Sequence, residues 1–181
     1  MKRTLLFVFG GLLLGGIIHI AVVFLVPYFA EHDAWAEVHS LGADAQFHLL
    51  SGASGASAPV AALDPWMLQT VCSFSLADRP VRIRASLTDD FWSIAIFDRR
   101  GRNVYSLNDR AAERAQLDLV VLTPVQMAQV RQNPPQSLED AIVVDLPIEN
   151  GFAVIRLFVP DESKRAEARA ALASADCAGS L

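Results

Sequence analysis

The sequence has few cysteines, glycines and prolines, and it has no excess of basic residues. With 2 cysteines, 10 glycines and 9 prolines in 181 residues, it is neither a disulfide scaffold nor a collagen-like chain. An apolar content of 52% also excludes a disordered chain. Its 15 basic residues are outnumbered by 20 acidic residues, whereas nucleic acid requires a basic surface. We therefore expect no nucleic-acid partner.

Motifs for common catalytic and cofactor chemistry are also missing. The sequence contains no CxxC, GxSxG, P-loop, Rossmann or haem motif. His32, His39 and His48 lie near acidic residues, but their spacing matches no metal motif, and no histidine follows them. We expect no metal and no cofactor, and a role without enzymatic activity is favoured. Catalysis by loop carboxylates such as Asp89 is the alternative.

One long apolar run occupies residues 4–30, which contain no Lys, Arg, Asp or Glu. A helix of about 20 apolar residues spans a bilayer core of roughly 30 Å, so this run predicts a transmembrane anchor in contact with lipid. Lys2 and Arg3 precede the run, and Glu31 and Asp33 follow it. The positive-inside rule then places the N-terminus in the cytoplasm and the remainder in the periplasm of a bacterial inner membrane. A cleaved signal peptide is the alternative, although its apolar region is only about 7–15 residues long.

The remainder of the chain divides by composition into two parts. Residues 31–62 comprise a juxtamembrane segment with some helical character and a Ser/Gly/Ala-rich linker, and residues 63–181 form the folded domain. Alternating apolar residues and turn signals predict strands in that domain. The expected strands are residues 70–76, 81–87, 91–98, 104–107, 116–122, 141–146 and 152–159.

Short connections between these strands indicate an α+β fold with a mainly antiparallel sheet. Residues 147–151 have hairpin length and include a glycine, so they predict a hairpin between the last two strands. Thr123 and Pro124 are typical of a helix start. A C-terminal helix is expected from Pro160 to near Cys177.

The most polar stretch, residues 98–114, contains five arginines. Arginines at a turn can bind carboxylates, phosphates or an acidic surface through paired hydrogen bonds. The alternative is a solvated hairpin tip whose arginines pair with Asp98, Asp109 and Glu113. The candidate binding residues are Arg99, Arg100, Arg102, Tyr105, Asn108, Asp109 and Arg110.

Cys72 and Cys177 both lie in the part of the chain that we expect to be exported. An oxidising compartment favours a disulfide between them, and two separate buried thiols are the alternative.

Four segments resemble a bacterial membrane-protein family of unknown function, DUF1254. These segments are DPWMLQTVCSFSL, DDFWSIAIFDRRGRNVYSLNDRA, LDLVVLTPVQ and AIVVDLPIENGFAVIRLFVPD. The positions of both cysteines also resemble the family pattern. The resemblance implies a chain that occurs beside a DUF1214-type membrane protein, and it supplies no catalytic residue.

Together these features predict a single-pass inner-membrane protein whose periplasmic domain binds another envelope protein. The alternative is an envelope enzyme or small-ligand-binding protein with a pocket near Asp98–Arg110.

Overall fold

The computed structural model describes residues 2–50, 64–112 and 115–178, and it describes the backbone alone for residues 27–37. Three α-helices and nine strands occur in these ranges. The helices are α1 (Lys2–Ser40), α2 (Pro124–Gln132) and α3 (Arg165–Ala173). The strands are β1 (His48–Leu50), β2 (Met67–Ser75), β3 (Val81–Ser86), β4 (Trp92–Asp98), β5 (Asn103–Asn108), β6 (Gln116–Leu122), β7 (Ile142–Asp145), β8 (Asn150–Phe158) and β9 (Asp176–Ala178).

The strands form two sheets, which confirms the predicted α+β fold with mainly antiparallel strands. The five-stranded sheet has the order β1-β2-β8-β4-β5, and every neighbouring pair in it is antiparallel. The four-stranded sheet has the order β7-β6-β3-β9. In that sheet β3 is antiparallel to both of its neighbours, whereas β6 and β7 are parallel.

The core lies between the inner faces of the two sheets. In β3 the side chains of Val81, Ile83 and Ala85 are buried, whereas Arg82 and Arg84 alternate with them on the opposite face. This is the period of two that the sequence shows, because successive side chains of a strand point to opposite faces. In β4, Trp92, Ile94 and Ile96 are buried in the same core. Each of these side chains contributes about 1.5–3 kcal/mol of stability by leaving water.

The hairpin expected across residues 147–151 does not form. Ile142–Asp145 pairs with β6 in the four-stranded sheet, whereas Asn150–Phe158 pairs with β2 and β4 in the other sheet. Parallel strands need a crossover connection, and α2 lies in the connection between β6 and β7. Residues 146–149 therefore pass from one sheet to the other, and residues 150 and 151 already belong to β8.

The C-terminal helix is shorter than expected. It ends at Ala173, and residues 176–178 form a strand instead. In this strand Cys177 pairs with Ile83 of β3, so the chain end completes the edge of the four-stranded sheet. The buried side chains Ala168 and Leu172 hold α3 against the core.

The N-terminal helix extends past residue 30 and ends at Ser40, and the following segment belongs to the fold. Residues 48–50, which fall in the expected juxtamembrane part, pair with β2 at the edge of the five-stranded sheet. A second apolar cluster occupies the outer face of this sheet, where Val38 and Leu50 pack against Val71 and neighbouring residues. Residues 38–50 therefore attach α1 to the sheet. The linker residues 51–62 lie outside the described part of the chain.

Candidate functional site

The arginine-rich turn between β4 and β5 is built around the buried carboxylate of Asp98. Its Oδ1 accepts the backbone N–H groups of Arg100 at 2.9 Å and Arg102 at 3.0 Å. Its Oδ2 accepts a hydrogen bond from Arg102 Nε at 2.8 Å, and Arg102 Nη2 completes the ion pair at 2.7 Å from the same oxygen. Gly101 has a φ of +75°, a backbone conformation that glycine adopts without the steric cost of a Cβ. The carboxylate therefore fixes the loop conformation.

The environment of Asp98 favours its ionised form. Burial alone raises the pKa of this carboxyl group, but the hydrogen bonds from Arg102 and Arg100 outweigh burial, so the pKa lies below its ordinary value. The Arg102 side chain forms an ion pair with Asp98. This pairing agrees with the alternative interpretation, in which the arginines of a hairpin tip pair with acidic residues. The side chain of Arg100 is exposed, so it is available to a partner.

The structure does not bring the seven candidate binding residues together. Strand β5 separates them, because Asn103 pairs with Phe97 beside the turn, whereas Asn108 pairs with Ser93 at the far end. Five residue steps along a strand span roughly 17 Å. Arg99, Arg100 and Arg102 therefore lie at one end of the sheet, and Asn108, Asp109 and Arg110 lie at the other.

The remaining candidates have structural surroundings. Tyr105 is partly buried against the core, and this burial raises the pKa of its phenol. Asn108 caps the 3-10 helix Asp109–Ala111 by accepting the Arg110 N–H at 3.2 Å. One buried carboxylate oxygen of Asp109, Oδ1, has no hydrogen bond within the described part of the chain, and Glu113 lies outside it. Tyr105 and Asn108 thus serve the fold of this hairpin.

Cys72 and Cys177 form a disulfide between the two sheets. Their Cα atoms lie 6.6 Å apart, within the usual range for a disulfide, and both residues are buried. Since Cys72 belongs to β2 and Cys177 to β9, the bond ties the short C-terminal strand to the opposite sheet.

The histidines near the helix end make local contacts. His39 Nδ1 lies 3.4 Å from an oxygen of Asp44, and His48 Nε2 lies 3.2 Å from the carbonyl oxygen of Ala43. Asp44 in turn accepts a hydrogen bond from the Ser73 hydroxyl of β2. Within the described ranges, no three His, Cys, Asp or Glu side chains are grouped as metal ligands.

A pocket of about 320 Å³ lies at the end of the five-stranded sheet opposite to the arginine turn. Seven residues of β8, roughly 23 Å, separate Gly151 beside the turn from Phe158 beside the pocket. The pocket is lined by Pro65, Trp66, Pro160, Asp161, Glu162 and Arg165, among others. None of the residues that line this cavity belongs to residues 98–110, where the sequence suggested a pocket. Sequence reasoning missed it because Trp66 and Arg165 lie 99 positions apart.

Polar contacts shape the rim of this pocket, which we call the Trp66 pocket. The Arg165 guanidinium donates to Glu162 Oε2 at 2.7 Å and to the Pro65 carbonyl oxygen at 3.1 Å. Asp161 accepts the N–H and hydroxyl of Ser163, and these hydrogen bonds lower the pKa of its carboxyl group. The indole of Trp66 is 54% exposed. The pocket thus combines an exposed aromatic surface with two acidic side chains.

These features define a two-sheet α+β domain that is tied by an intersheet disulfide and follows an apolar N-terminal helix. The chain belongs to the DUF1254 family, whose profile, described as a protein of unknown function, matches residues 45–177. No curated protein matches the sequence.

A solved structure shares the fold at low sequence identity. The VPA0106 protein from Vibrio parahaemolyticus matches with a TM-score of 0.52 and 11% identity over 65% of this chain and 28% of its own. An uncharacterised protein from Burkholderia cenocepacia has a TM-score of 0.45 and 14% identity over 68% of this chain and 33% of its own. This chain therefore spans about a third or less of the length of either protein.

Proposed function

We propose that this DUF1254 protein is a single-pass protein of the bacterial inner membrane whose periplasmic domain binds another envelope protein. The observation that carries the proposal is the N-terminal helix. Within residues 2–26, an 18-residue stretch has a mean hydropathy of 2.4 and is not buried by the described part of the chain. Side chains of this kind need lipid around them, because exposure of so much apolar surface to water is unfavourable.

Two further observations support the orientation. Lys2 and Arg3 are the only charged residues before the apolar run, as expected for a cytoplasmic N-terminus. The disulfide between Cys72 and Cys177 is favoured by an oxidising compartment such as the periplasm.

A binding role is supported by the contact between the helix and the folded domain. Val38 packs on the outer face of the five-stranded sheet, and the N–H of Ala45 donates to the carbonyl oxygen of Ser73 at 2.8 Å. The domain is thereby held close to the end of the helix, where a second membrane-anchored protein can reach it. A DUF1214-type membrane protein is the partner that the family resemblance implies.

Photo-crosslinking in intact cells tests the binding role. A photoreactive phenylalanine replaces Arg100 in the exposed turn or, as a control, the exposed Glu139 before β7. We expect the Arg100 position to form a discrete adduct with a co-expressed DUF1214-type protein. Equal labelling from both positions, or no adduct from either, would contradict the proposed interaction through this turn.

A further inference from the structure

The Trp66 pocket has no role in the anchoring or in the turn described above. We propose that it receives the side chain of an arginine or lysine from the envelope partner. The inference rests on the proposed binding function, and it names a cationic side chain as the group of the partner that this pocket recognises. Three observations lead to it: the size of the pocket, the pairing of the charged groups at its rim and the aromatic side chains around it.

The size of the cavity suits one long side chain. Pockets for small molecules usually measure about 300–1,000 Å³, and this one, at about 320 Å³, lies at the lower limit. Pro65, Trp66 and Pro160 give it an apolar lining. Arginine and lysine pack their aliphatic stems on such surfaces and keep the charged group at the rim.

The charged groups at the rim favour a cation over an anion. Arg165 already donates from Nε to Glu162 and from Nη2 to Pro65, and its side chain is only 27% exposed. Its positive charge is therefore largely satisfied. By contrast, Glu162 is 81% exposed, and only Oε2 of its carboxylate accepts a hydrogen bond within the described residues.

Asp161 offers the second negative charge. Ser163 donates both of its hydrogen bonds to Oδ1 of this carboxylate, so Oδ2 carries no bond from Ser163. The backbone N–H and the ammonium group of Lys164 also act on the carboxylate. Both cations beside these carboxylates already have acidic partners, since Arg165 binds Glu162 and Lys164 binds Asp90. Among the described residues, the two carboxylates therefore keep acceptor capacity for a further cation. A guanidinium or ammonium group is the ligand that complements this arrangement.

Aromatic side chains extend the surface beside the pocket. Phe91 is 47% exposed and Phe158 is 37% exposed, and the N–H of Phe158 donates to the Phe91 carbonyl oxygen at 2.8 Å. Phe158 also pairs with Met67, the residue that follows Trp66. A cation near an exposed indole gains further stabilisation from the ring face, and aromatic residues are enriched at protein–protein contacts.

Fluorine NMR of the full chain in detergent micelles, labelled with 5-fluorotryptophan, tests the proposal. The chain has three tryptophans, so a Trp66→Phe variant assigns the Trp66 signal. The probe is N-acetyl-arginine methylamide, and the neutral control probe is N-acetyl-citrulline methylamide. N-acetyl-glutamate methylamide tests for an anion. We expect saturable movement of the Trp66 signal with the arginine probe and at least fivefold weaker binding of citrulline.

The matched variant is Asp161→Asn with Glu162→Gln. It removes both charges but keeps oxygen acceptors for Ser163 and Arg165, so the rim keeps its fold. We expect at least fivefold weaker binding of the arginine probe, whereas Asp78→Asn, at an exposed position past the other end of β2, should not change binding.

Equal binding of arginine and citrulline, stronger binding of glutamate, or no response of the Trp66 signal would each overturn the proposal. These results would not touch the proposed function, because crosslinking from the arginine turn reports on it separately. Conversely, if the Arg100 position forms no crosslink but the pocket binds the arginine probe, only the proposed partner contact at the turn is rejected.

Discussion

The disulfide between Cys72 and Cys177 makes the largest single contribution to stability that we predict. The two residues are separated by 105 positions, so the bond closes a loop of about a hundred residues. Loop-closure entropy assigns roughly 4–5 kcal/mol to a loop of this length. Native domains are stable by about 5–15 kcal/mol in total, so removal of the bond should cost about a quarter or more of that stability.

The disulfide joins a strand that few other interactions hold in place, so the remaining contacts do not compensate for its loss. Strand β9 has three residues and one strand neighbour, β3, so few hydrogen bonds hold it. The substitution of Cys72→Ala with Cys177→Ala also removes two buried sulfur atoms from the core. We therefore expect the double variant to unfold at markedly lower denaturant concentration.

Urea unfolding of the full chain in micelles, followed by near-UV circular dichroism, measures this effect. The single variant Cys72→Ala should lose nearly as much stability as the double variant, because either change breaks the bond. Wild-type protein treated with a reductant should behave in the same way. A double variant within about 1 kcal/mol of wild type, or two titratable thiols in unreduced wild type, would refute the reasoning.

Two further predictions concern the turn and the strand beside it. Asp98→Asn should lower stability by about 1.5–3 kcal/mol at neutral pH, because it weakens charge-assisted hydrogen bonds to Arg102 and Arg100 in a buried position. The pKa of folded Asp98 lies below the usual 3.8, so its contribution to stability is present above that pH and is lost as the pH falls through the folded pKa. Below pH 4, the free energy of unfolding of the variant should therefore depend less steeply on pH than that of wild type. An unchanged pH dependence would contradict this assignment. Gly151→Ala should lower the free energy of unfolding by about 1–3 kcal/mol in thermal or urea unfolding, because the new Cβ would lie 2.6 Å from the Phe97 carbonyl oxygen. The control variant is Gly11→Ala, whose new Cβ would have no atom within 4 Å, and it should leave the stability of the folded domain unchanged. Equal behaviour of the two glycine variants would show that the close approach at Gly151 does not constrain the strand.

Local sequence patterns predicted most elements of the fold but not all of their pairings. The alternation over residues 81–87 predicted β3 almost to its ends, because apolar and polar residues alternate along a strand that is buried on one face. The partner of Ile142–Asp145 was not predictable in this way, since a parallel pair is formed through a distant crossover. The three-residue strands β1 and β9 are too short to carry a pattern, and their positions depend on tertiary contacts.

The candidate binding residues show a similar limit. The expected strand at residues 104–107 places Arg102 and Arg110 beyond its opposite ends, because an extended chain moves about 3.3 Å per residue. The role of Asp98 as the centre of the turn was not readable, since it depends on a buried carboxylate meeting two backbone N–H groups. The Trp66 pocket was also beyond sequence reasoning, because residues near 65 and near 162 meet only in the folded chain.

The membrane topology of the full chain is the most direct test of the account. Alkaline phosphatase is fused after Leu181, and its activity is measured in membrane and soluble fractions of cells that express the fusion. We predict an active enzyme that stays in the membrane fraction with residues 4–30 intact, because the proposed topology has the apolar helix in the membrane and the domain in the periplasm. Activity released into the soluble periplasm would show that the helix is a cleaved signal sequence, and an inactive fusion would show that the domain remains in the cytoplasm.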